Sequence, residues 1–351
     1  MKKVIYLYKS GNLKRKDDSL VLETKGKADY IPIEQVDMII CFSEVSLNKR
    51  VLALLNKYEV SILFYNFYGN YMGRYAPKDY KDGRVLVNQV NKYRDESQRL
   101  YISKSILKAS IKNMLSVLKY YRKKGKNLDE LIRKLEDFVG MASNIETMNE
   151  LMLIEASAKQ TYYKMFDVVL ENEVFKFQKR TKNPPQNEVN AMLSYGYTLL
   201  YGLILSILDR SSLFPQISFI HSLSKNSDSL QYDLADIFKP VYIDRMVLRL
   251  IRKKQIKQSH FQYKPDGRCY LSKEGTKVFI EEFNTLLQST MNTKRLKIFS
   301  VREEFNTLLQ STIVYSKRNY SYRSILSKEV HRLSEYIKDK SITLDFFVMK
   351  W

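Results

Sequence analysis

Residues 187–208 read NEVNAMLSYGYTLLYGLILSIL, with apolar side chains recurring every three or four positions. This spacing is typical of an α-helix, and Asn187 is placed to begin it. The most apolar part, Tyr195 to Leu208, is fourteen residues long, whereas a helix needs roughly 20 apolar residues to cross a bilayer. We therefore predict a helix that is buried in the protein core and no membrane span.

Long helical periods also dominate the rest of the chain from about Val85 onward. Three helices are predicted before residue 187, at 100–118, 128–138 and 147–173. Asn127 or Asp129 would cap the second helix. The third helix is mostly apolar, and Met152 and Leu153 are expected to belong to its buried interior. The sequence thus predicts an all-α domain over residues 85–351.

The first 76 residues differ, because short apolar or alternating runs are separated by turn residues. Such runs predict strands, and they lie at residues 4–8, 19–23, 30–33, 36–42, 60–64 and 71–75. One helix at 46–58, with Ser46 as its N-cap, is predicted among them. Asn66 to Asn70 looks like a hairpin with a glycine turn. We predict an α+β protein, with a β-rich, sandwich-like domain at 1–76 and a linker at 77–84.

The composition excludes several classes of protein. A hydrophobic content of 44% provides for one or two ordinary cores, which excludes a disordered tail. Two cysteines cannot build a disulfide framework or, unaided, a structural zinc site. The five apolar residues from Val4 to Tyr8 are too few for a secretory signal. We expect a cytoplasmic protein.

The charge of the chain points to a polyanionic partner. The 59 Lys and Arg residues against 38 Asp and Glu residues give a net charge of +21, and nucleic acid is the leading candidate. Tyrosines accompany local basic runs at 119–126 and 249–257, which would offer phosphate contacts and base stacking together. For any single run, an ordinary solvated surface is the more frequent explanation.

The decapeptide EEFNTLLQST occurs twice, at 281–290 and at 303–312. Two copies are too few for a solenoid, so we interpret them as a local tandem duplication. In one unbroken helix the offset of 22 residues would rotate the apolar stripe by only about 40°, and both copies would face the same core. An artefact of sequence assembly would give the same repeat.

Two candidate site residues interrupt apolar segments. Glu155 lies in LMLIEASA, residues 151–158, where a buried carboxylate needs an ion-pair partner or a metal. By itself it fits a buried ion pair better. His221 follows the apolar residues 217–220, and a lone histidine there is more often a hydrogen-bonded core residue than a ligand.

Two aspartates complete the set. Asp233 and Asp236 are three residues apart on a predicted helix, about 60° around its axis, so both can face one site. Alone, the pair also fits an acidic first turn of a helix. The polar residues between His221 and Asp233 permit a turn that returns the aspartates to the imidazole. Together with Glu155 these residues make a mixed nitrogen and oxygen site suited to Mn²⁺ or Mg²⁺.

The ordered motifs around these residues resemble a known family, the CRISPR-associated integrase and endonuclease of the adaptation module. They are EASAKQTYY (155–163), NEVNAMLSYGY (187–197), IH (220–221) and SLQYDLADIFKP (229–240), with GNLKR (11–15), IPIE (31–34), FSEVSL (42–47), NYMGR (70–74) and SYR (321–323). The resemblance extends over nearly the whole chain. It departs at Ala156, where the family commonly has glycine, and at the duplicated decapeptide.

The resemblance implies a fold, a site and partners. Glu155, His221 and Asp236 would bind Mg²⁺ or Mn²⁺, with Asp233 as a further catalytic acid. Lys239 would be the basic residue near DNA, and we also expect Lys159 and Lys225 to contact DNA. The β-rich domain would form a homodimer and the helical domain would be catalytic. The expected partners are double-stranded DNA and the small CRISPR-associated protein numbered two.

Three functions follow as hypotheses. The first is a metal-dependent endonuclease and integrase, which inserts short DNA into a CRISPR array by attack of a 3′-hydroxyl on a phosphodiester. The second is a non-catalytic, architectural DNA-binding protein whose carboxylates are buried ion-pair partners. The third, a metal hydrolase of small phosphoesters, leaves the charge of +21 without a purpose.

Overall fold

The computed structural model describes residues 2–66, 69–77, 81–223, 228–291, 320–339 and 342–351. A strand-rich part is followed by a helical part, so the predicted fold class is confirmed. The first part consists of β1 (Lys3–Leu7), β2 (Gly11–Lys16), β3 (Ser19–Thr24), β4 (Lys27–Pro32), β5 (Val36–Cys41), β6 (Val45–Leu47), α1 (Lys49–Lys57), β7 (Ser61–Tyr65) and β8 (Tyr71–Tyr75).

These strands form two four-stranded sheets, in the orders β1-β5-β7-β8 and β4-β3-β2-β6. In the first sheet β5 pairs in parallel with β1 and β7, and β8 closes the edge antiparallel to β7. All six residues of β5 are buried. Ile39 packs with α1 and the second sheet, whereas Met38 and Ile40 belong to the core of the helical part. Because successive side chains of β5 point to opposite faces of the sheet, this one strand contributes to both hydrophobic cores and joins the two parts of the molecule.

The helical part contains ten α-helices among the described residues. They are α2 (Gly83–Arg94), α3 (Glu96–Arg122), α4 (Asp129–Met141), α5 (Met148–Tyr163), α6 (Met165–Leu170), α7 (Glu188–Asp209), α8 (Leu230–Lys239), α9 (Arg245–Arg252), α10 (Lys273–Gln288) and α11 (Tyr322–Lys338). Two small antiparallel sheets accompany them, β9 (Phe261–Tyr263) with β10 (Cys269–Leu271) and β11 (Thr290–Met291) with β12 (Tyr320–Ser321). The sequence analysis did not predict these sheets.

Several local predictions need correction. Asn48, not Ser46, caps α1, since its side chain accepts from the backbone of Arg50 and Val51. The side chains of Asn127 and Asp129 do not cap α4, because its N-cap is Leu128, without a side-chain bond. The helix predicted at 147–173 is two helices, α5 and α6. Helix α2 begins at Gly83, inside the segment 77–84 that was predicted as a linker, and residues 78–80 lie outside the described residues.

The prediction of a buried interior for all of α5 is also wrong in part. Met152 and Leu153 are exposed by 45% and 69%. The buried face of this helix is formed instead by Leu151, Glu155, Ala158 and Tyr162. Burial therefore follows the helical period, which includes Glu155 and leaves out two of the most apolar residues.

Helix α7 is buried in the protein core, as predicted. It is long and apolar enough to cross a membrane, and among the described residues it alone meets that test, but 78% of its most apolar window is buried inside the protein. Such burial is usual for a core helix. The location of the protein in the cell stays a prediction.

Close packing around α7 depends on Gly196. A β-carbon there would lie 2.5 Å from Ile243 Cγ2 and 2.9 Å from Phe279 Cζ. We expect Gly196→Ala to lower the free energy of unfolding by about 1–3 kcal/mol, because overpacking outweighs the better helix propensity of alanine. Urea denaturation measures this. Gly140→Ala, where a β-carbon meets no heavy atom within 4 Å, is the control and should not destabilise the protein.

The first copy of the decapeptide lies mostly in α10. Phe283, Leu286 and Leu287 are buried there, which confirms the apolar stripe of that copy. The helix ends at Gln288, and the chain continues into β11, which pairs with β12. A single helix through both copies is therefore excluded. The second copy, 303–312, lies outside the described residues.

Candidate active site

Three elements bring the candidate residues together. Helix α5 supplies Glu155 and, one turn later, Lys159; helix α8 supplies Asp233 and Asp236; and His221 precedes α8 in an irregular segment. A capping box fixes the N-terminus of α5, because the side chains of Thr147 and Glu150 each accept from the other residue's backbone N–H. Two α-helices, α5 and α8, therefore position the carboxylates of the site.

Two buried carboxylates share an ammonium group. Lys159 Nζ lies 3.0 Å from Glu155 Oε1 and 3.0 Å from Asp236 Oδ2. Lys239 Nζ donates to the other oxygen of Asp236 at 2.5 Å. Burial alone would raise the pKa of Asp236, but the charges of Lys159 and Lys239 outweigh it and hold this pKa well below its ordinary value. Asp236 is therefore ionised at neutral pH.

The pKa of Glu155 is shifted in the opposite direction from that of Asp236. Burial, reinforced by the negative charge of Asp236, raises the pKa of Glu155, and Lys159 offsets this only in part. Two carboxylates close together in a buried place disfavour simultaneous ionisation. Additional positive charge at this point would relieve that repulsion.

Asp233 lies behind His221. One of its oxygens, Oδ2, accepts the backbone N–H groups of Phe219 at 2.6 Å and Ile220 at 3.0 Å. The other oxygen, Oδ1, accepts the backbone N–H of His221 at 3.1 Å and lies 2.7 Å from its Nδ1. Asp233 is wholly buried, so its contacts favour a role in orienting the imidazole.

The imidazole of His221 keeps its second nitrogen available. In the neutral tautomer in which Nδ1–H donates to Asp233, the lone pair is on Nε2. The side chain is 37% exposed. Burial lowers the pKa of His221, but the hydrogen bond to Asp233 and the charges of Asp233 and Asp236 outweigh it, so that the pKa is raised.

The donor set suits a divalent cation. Carboxylate oxygens with one imidazole nitrogen fit Mg²⁺ or Mn²⁺, and the ammonium of Lys159 occupies the place between Glu155 and Asp236 where a cation is favoured. Within the described ranges, no three His, Cys, Asp or Glu side chains stand in a ready metal-binding group. The residues fit the metal by type and charge, with Lys159 between the two carboxylates.

A basic cavity of about 660 Å³ opens beside these residues. Lys159 and Lys239 belong both to it and to the site, and its wall also includes Lys179, Arg180 and Lys182. Burial, followed by the charges of Lys159, Lys239 and Arg180, lowers the pKa of Lys182. So many like charges on one concave surface favour an anionic ligand.

Aromatic rings line the same cavity. Lys239 Nζ lies 5.1 Å from the ring centroid of Tyr197 and 4.9 Å from that of Tyr201. Tyr163 and Phe177 lie in the same wall. The sequence analysis missed this cavity, although the local run QKRTK at 178–182 was a signal for its basic side.

The basic run at 119–126 is partly neutralised. Lys119 pairs with Glu136 at 2.6 Å, and Arg122 pairs with Asp129 at 3.2 Å. Exposed pairs of this kind leave less charge for DNA than the sequence indicates. Lys225, which was expected to contact DNA, lies outside the described residues.

The buried carboxyl group of Asp244, behind the cavity, should make the stability of the protein depend on pH. Tyr197 Oη donates to Asp244 Oδ1 at 2.6 Å, and burial raises the pKa of Asp244 from 3.8 to about 7. The folded protein thus binds this proton more tightly than the unfolded chain. The contribution of Asp244 to stability should therefore fall by about 4 kcal/mol as pH rises from about 4 to about 7.

Urea unfolding of the parent and of Asp244→Asn across this pH range measures that contribution. The variant cannot ionise at position 244, so the difference between the two proteins should grow as pH rises. Parallel pH profiles for the two proteins would contradict the assignment.

Comparison with known proteins identifies the family. Residues 5–285 match the family model described as CRISPR associated protein Cas1. The chain belongs to the Cas1 family. It is 34% identical over 341 residues to a CRISPR-associated endonuclease Cas1 of Thermodesulfovibrio yellowstonii, covering 97% of each chain. The resemblance inferred from the motifs is therefore confirmed.

Several solved structures have a fold similar to that of this chain. A Cas1 protein from Thermotoga maritima is 32% identical, with a TM-score of 0.81 over 97% of this chain and 99% of the other. A casposase bound to integration product gives a TM-score of 0.79 at 19% identity, covering 100% and 95%. A Cas6-RT-Cas1–Cas2 complex contains a chain with a TM-score of 0.76 at 19% identity, covering 99% of this chain and 36% of that one. The latter two likenesses concern the fold.

Proposed function

We propose that this Cas1 protein is a divalent-metal-dependent DNA integrase and endonuclease. It would insert short DNA into a CRISPR array by joining a 3′-hydroxyl to a phosphodiester. The observation that carries the proposal is the meeting of Glu155 and Asp236 at Lys159, at the edge of a cavity that is lined with cations. The charge of Asp236 also acts on the ring of His221. Acidic metal ligands next to a phosphate-binding surface are what phosphoryl transfer requires.

The residues that would hold Mg²⁺ or Mn²⁺ are Glu155, His221 and Asp236. When bound, such an ion stabilises the negative charge that develops on the transferred phosphate. Asp236 is ionised, which is the state that a metal ligand needs. His221 would bind through Nε2 of the neutral imidazole, so the metal would compete with a proton at this ring. Lys159 would have to give up one or both of its carboxylate partners, which leaves its ammonium free for a phosphate oxygen.

The cavity would hold the DNA strand. Lys179, Arg180 and Lys182 offer phosphate contacts, and the rings of Tyr197 and Tyr201 offer surfaces for bases. Positioning and charge neutralisation then do most of the catalytic work, without a covalent enzyme intermediate. With water in place of the 3′-hydroxyl, the same residues would support cleavage.

Two further proposals concern assembly. Joining both ends of a short DNA requires two sites, so we propose a homodimer, formed through the β-rich part. We also propose Cas2 as a partner, supported by the presence of a chain with this fold in a Cas1–Cas2 complex. Size measurement of the protein alone and mixed with Cas2 tests both proposals.

The function is tested by incubation with a 3′-hydroxyl-ended DNA and a target duplex, with Mn²⁺ or with EDTA. An integrase gives joined products only with the metal. DNA binding that depends on salt, with no joined or cut product under any metal, would favour the architectural DNA-binding alternative. Hydrolysis of small phosphoesters without action on DNA would favour the third hypothesis.

The cavity also predicts a change in DNA affinity. Lys182→Gln should weaken binding of single-stranded DNA and reduce the slope of log affinity against log salt by about 0.7, because one phosphate contact is lost. Fluorescence anisotropy at several salt concentrations measures both quantities. Lys25→Gln, at an exposed lysine outside the cavity and outside the basic runs, is the matched control. An unchanged slope for Lys182→Gln would remove this residue from the DNA interface.

A further inference from the structure

A second basic cavity lies where the β-rich part meets the helical part. Its volume is about 700 Å³, and its lining includes Lys2, Lys3, Arg210, Arg323 and Lys338. Cavities of roughly 300–1,000 Å³ typically hold small molecules. The lining therefore combines the size of a ligand site with a strong positive charge.

This cavity is separate from the candidate active site. Arg210 directly follows α7, thirteen residues after Tyr197, which corresponds to about 20 Å along the helix axis. The two cavities have no lining residue in common. A ligand here would thus bind without touching Glu155, His221 or Asp236.

At the base of this cavity, one carboxylate is shared by two arginines. Asp37 Oδ1 lies 2.9 Å from Arg210 Nη1, and Asp37 Oδ2 lies 2.6 Å from Arg323 Nε. Two guanidinium groups against one carboxylate leave a net positive charge. Burial lowers the pKa of Arg323, and the neighbouring charge of Arg210 adds to this, although Asp37 opposes both. An anion at this place would complete the charge balance.

Arg323 also has an unused donor. Its Nη1 is buried and finds no hydrogen-bond acceptor within the part of the chain that the structure describes. Arg210 is different, because its Nε donates to the carbonyl oxygen of Ser206 at 3.1 Å and its Nη2 to Ser206 Oγ at 3.2 Å. Buried donors are normally satisfied, so the orphaned Nη1 of Arg323 indicates a missing acceptor.

The mouth of the cavity adds exposed positive charge. Lys2 and Lys3 are exposed, and neither has an ion pair in the described ranges. Lys338 is paired with Glu335 at 2.9 Å. Two unpaired lysines above a buried guanidinium can contact successive phosphate groups of one ligand.

We propose that this cavity binds a small phosphate-bearing ligand of nucleotide size. Arg323 Nη1 would donate to a phosphate oxygen at the base, and Lys2 and Lys3 would neutralise the remaining phosphate charge. Asp37, the acidic residue of the described lining, does not oppose this because both of its oxygens are engaged by arginine.

Isothermal titration of the full-length protein in EDTA tests the proposal. The probes are pyrophosphate, ATP and a short DNA duplex. The variants are Arg323→Lys, which keeps a charge beside Asp37 but removes Nη1, and the exposed double variant Lys2→Ala/Lys3→Ala. Lys25→Ala/Lys27→Ala, at exposed lysines in the β3–β4 turn and at the start of β4, is the matched control.

We expect saturable binding of pyrophosphate or ATP with one site per chain. Each variant should weaken it about tenfold or more, and the control should not change it. If Arg323→Lys does not fold, the double variant alone decides the outcome. Absence of saturable binding, or binding that both variants leave intact, would overturn the proposal. So would a result in which the variants weaken binding of the duplex alone, because the cavity would then serve the DNA surface.

Discussion

Glu155→Gln is expected to reduce Mn²⁺-dependent strand joining by about 100- to 1,000-fold. The amide nearly preserves the size of the side chain but removes the charge with which Glu155 would hold the metal. Duplex binding should persist, because the cations of the cavity remain and lose a negative neighbour. Joined product, quantified on denaturing gels at several Mn²⁺ concentrations, measures the effect, and electrophoretic mobility shift measures binding.

Glu136→Gln is the matched control for this experiment. Glu136 lies on α4 and forms an exposed ion pair with Lys119, which contributes little to stability. It should join strands like the parent. Joining by Glu155→Gln at the parental rate would show that Glu155 is only a buried ion-pair partner of Lys159.

Asp233→Asn is expected to lower the free energy of unfolding by about 2–4 kcal/mol. The carboxylate accepts three backbone N–H groups, from Phe219, Ile220 and His221, and it also contacts the imidazole. An asparagine would turn an NH₂ group toward some of these donors and leave them without an acceptor. Urea denaturation followed by circular dichroism measures the loss. Strand joining should fall as well, because His221 loses its orientation.

His221→Ala separates the two roles of Asp233. This variant removes the imidazole but leaves the three backbone hydrogen bonds of Asp233 in place. It should therefore lose strand joining with a much smaller loss of stability than Asp233→Asn. Equal stability of Asp233→Asn and the parent would mean that this carboxylate does not anchor the segment before α8.

Much of the fold was predictable because burial imposes a period on the sequence. Strand β5 and helix α7 are nearly continuous apolar runs of the right lengths, and both are in the core. Strand β2 was missed because only Leu13 among its residues is buried, so no alternation is visible. Met152 and Leu153 show the opposite error, because they are apolar and were predicted to be buried but are exposed. Composition alone does not tell which side of a helix packs against the core.

The site was predictable in its residue types and less so in its geometry. Asp233 and Asp236 are neighbours on one helix, and the sequence does not distinguish the residue that binds backbone amides from the residue that faces Glu155. That difference depends on the path of residues 217–221, which is a tertiary feature. The cations at 179, 180 and 182 lie on a loop, whose placement over the site depends on contacts far apart in sequence.

The most direct test is a crystal structure with Mn²⁺, located by its anomalous scattering. We predict one peak bound by the carboxylates of Glu155 and Asp236 and by Nε2 of His221, with Lys159 moved from its place between the two carboxylates. A peak bound elsewhere, or a fully occupied Lys159 bridge at saturating Mn²⁺, would contradict the proposed metal centre.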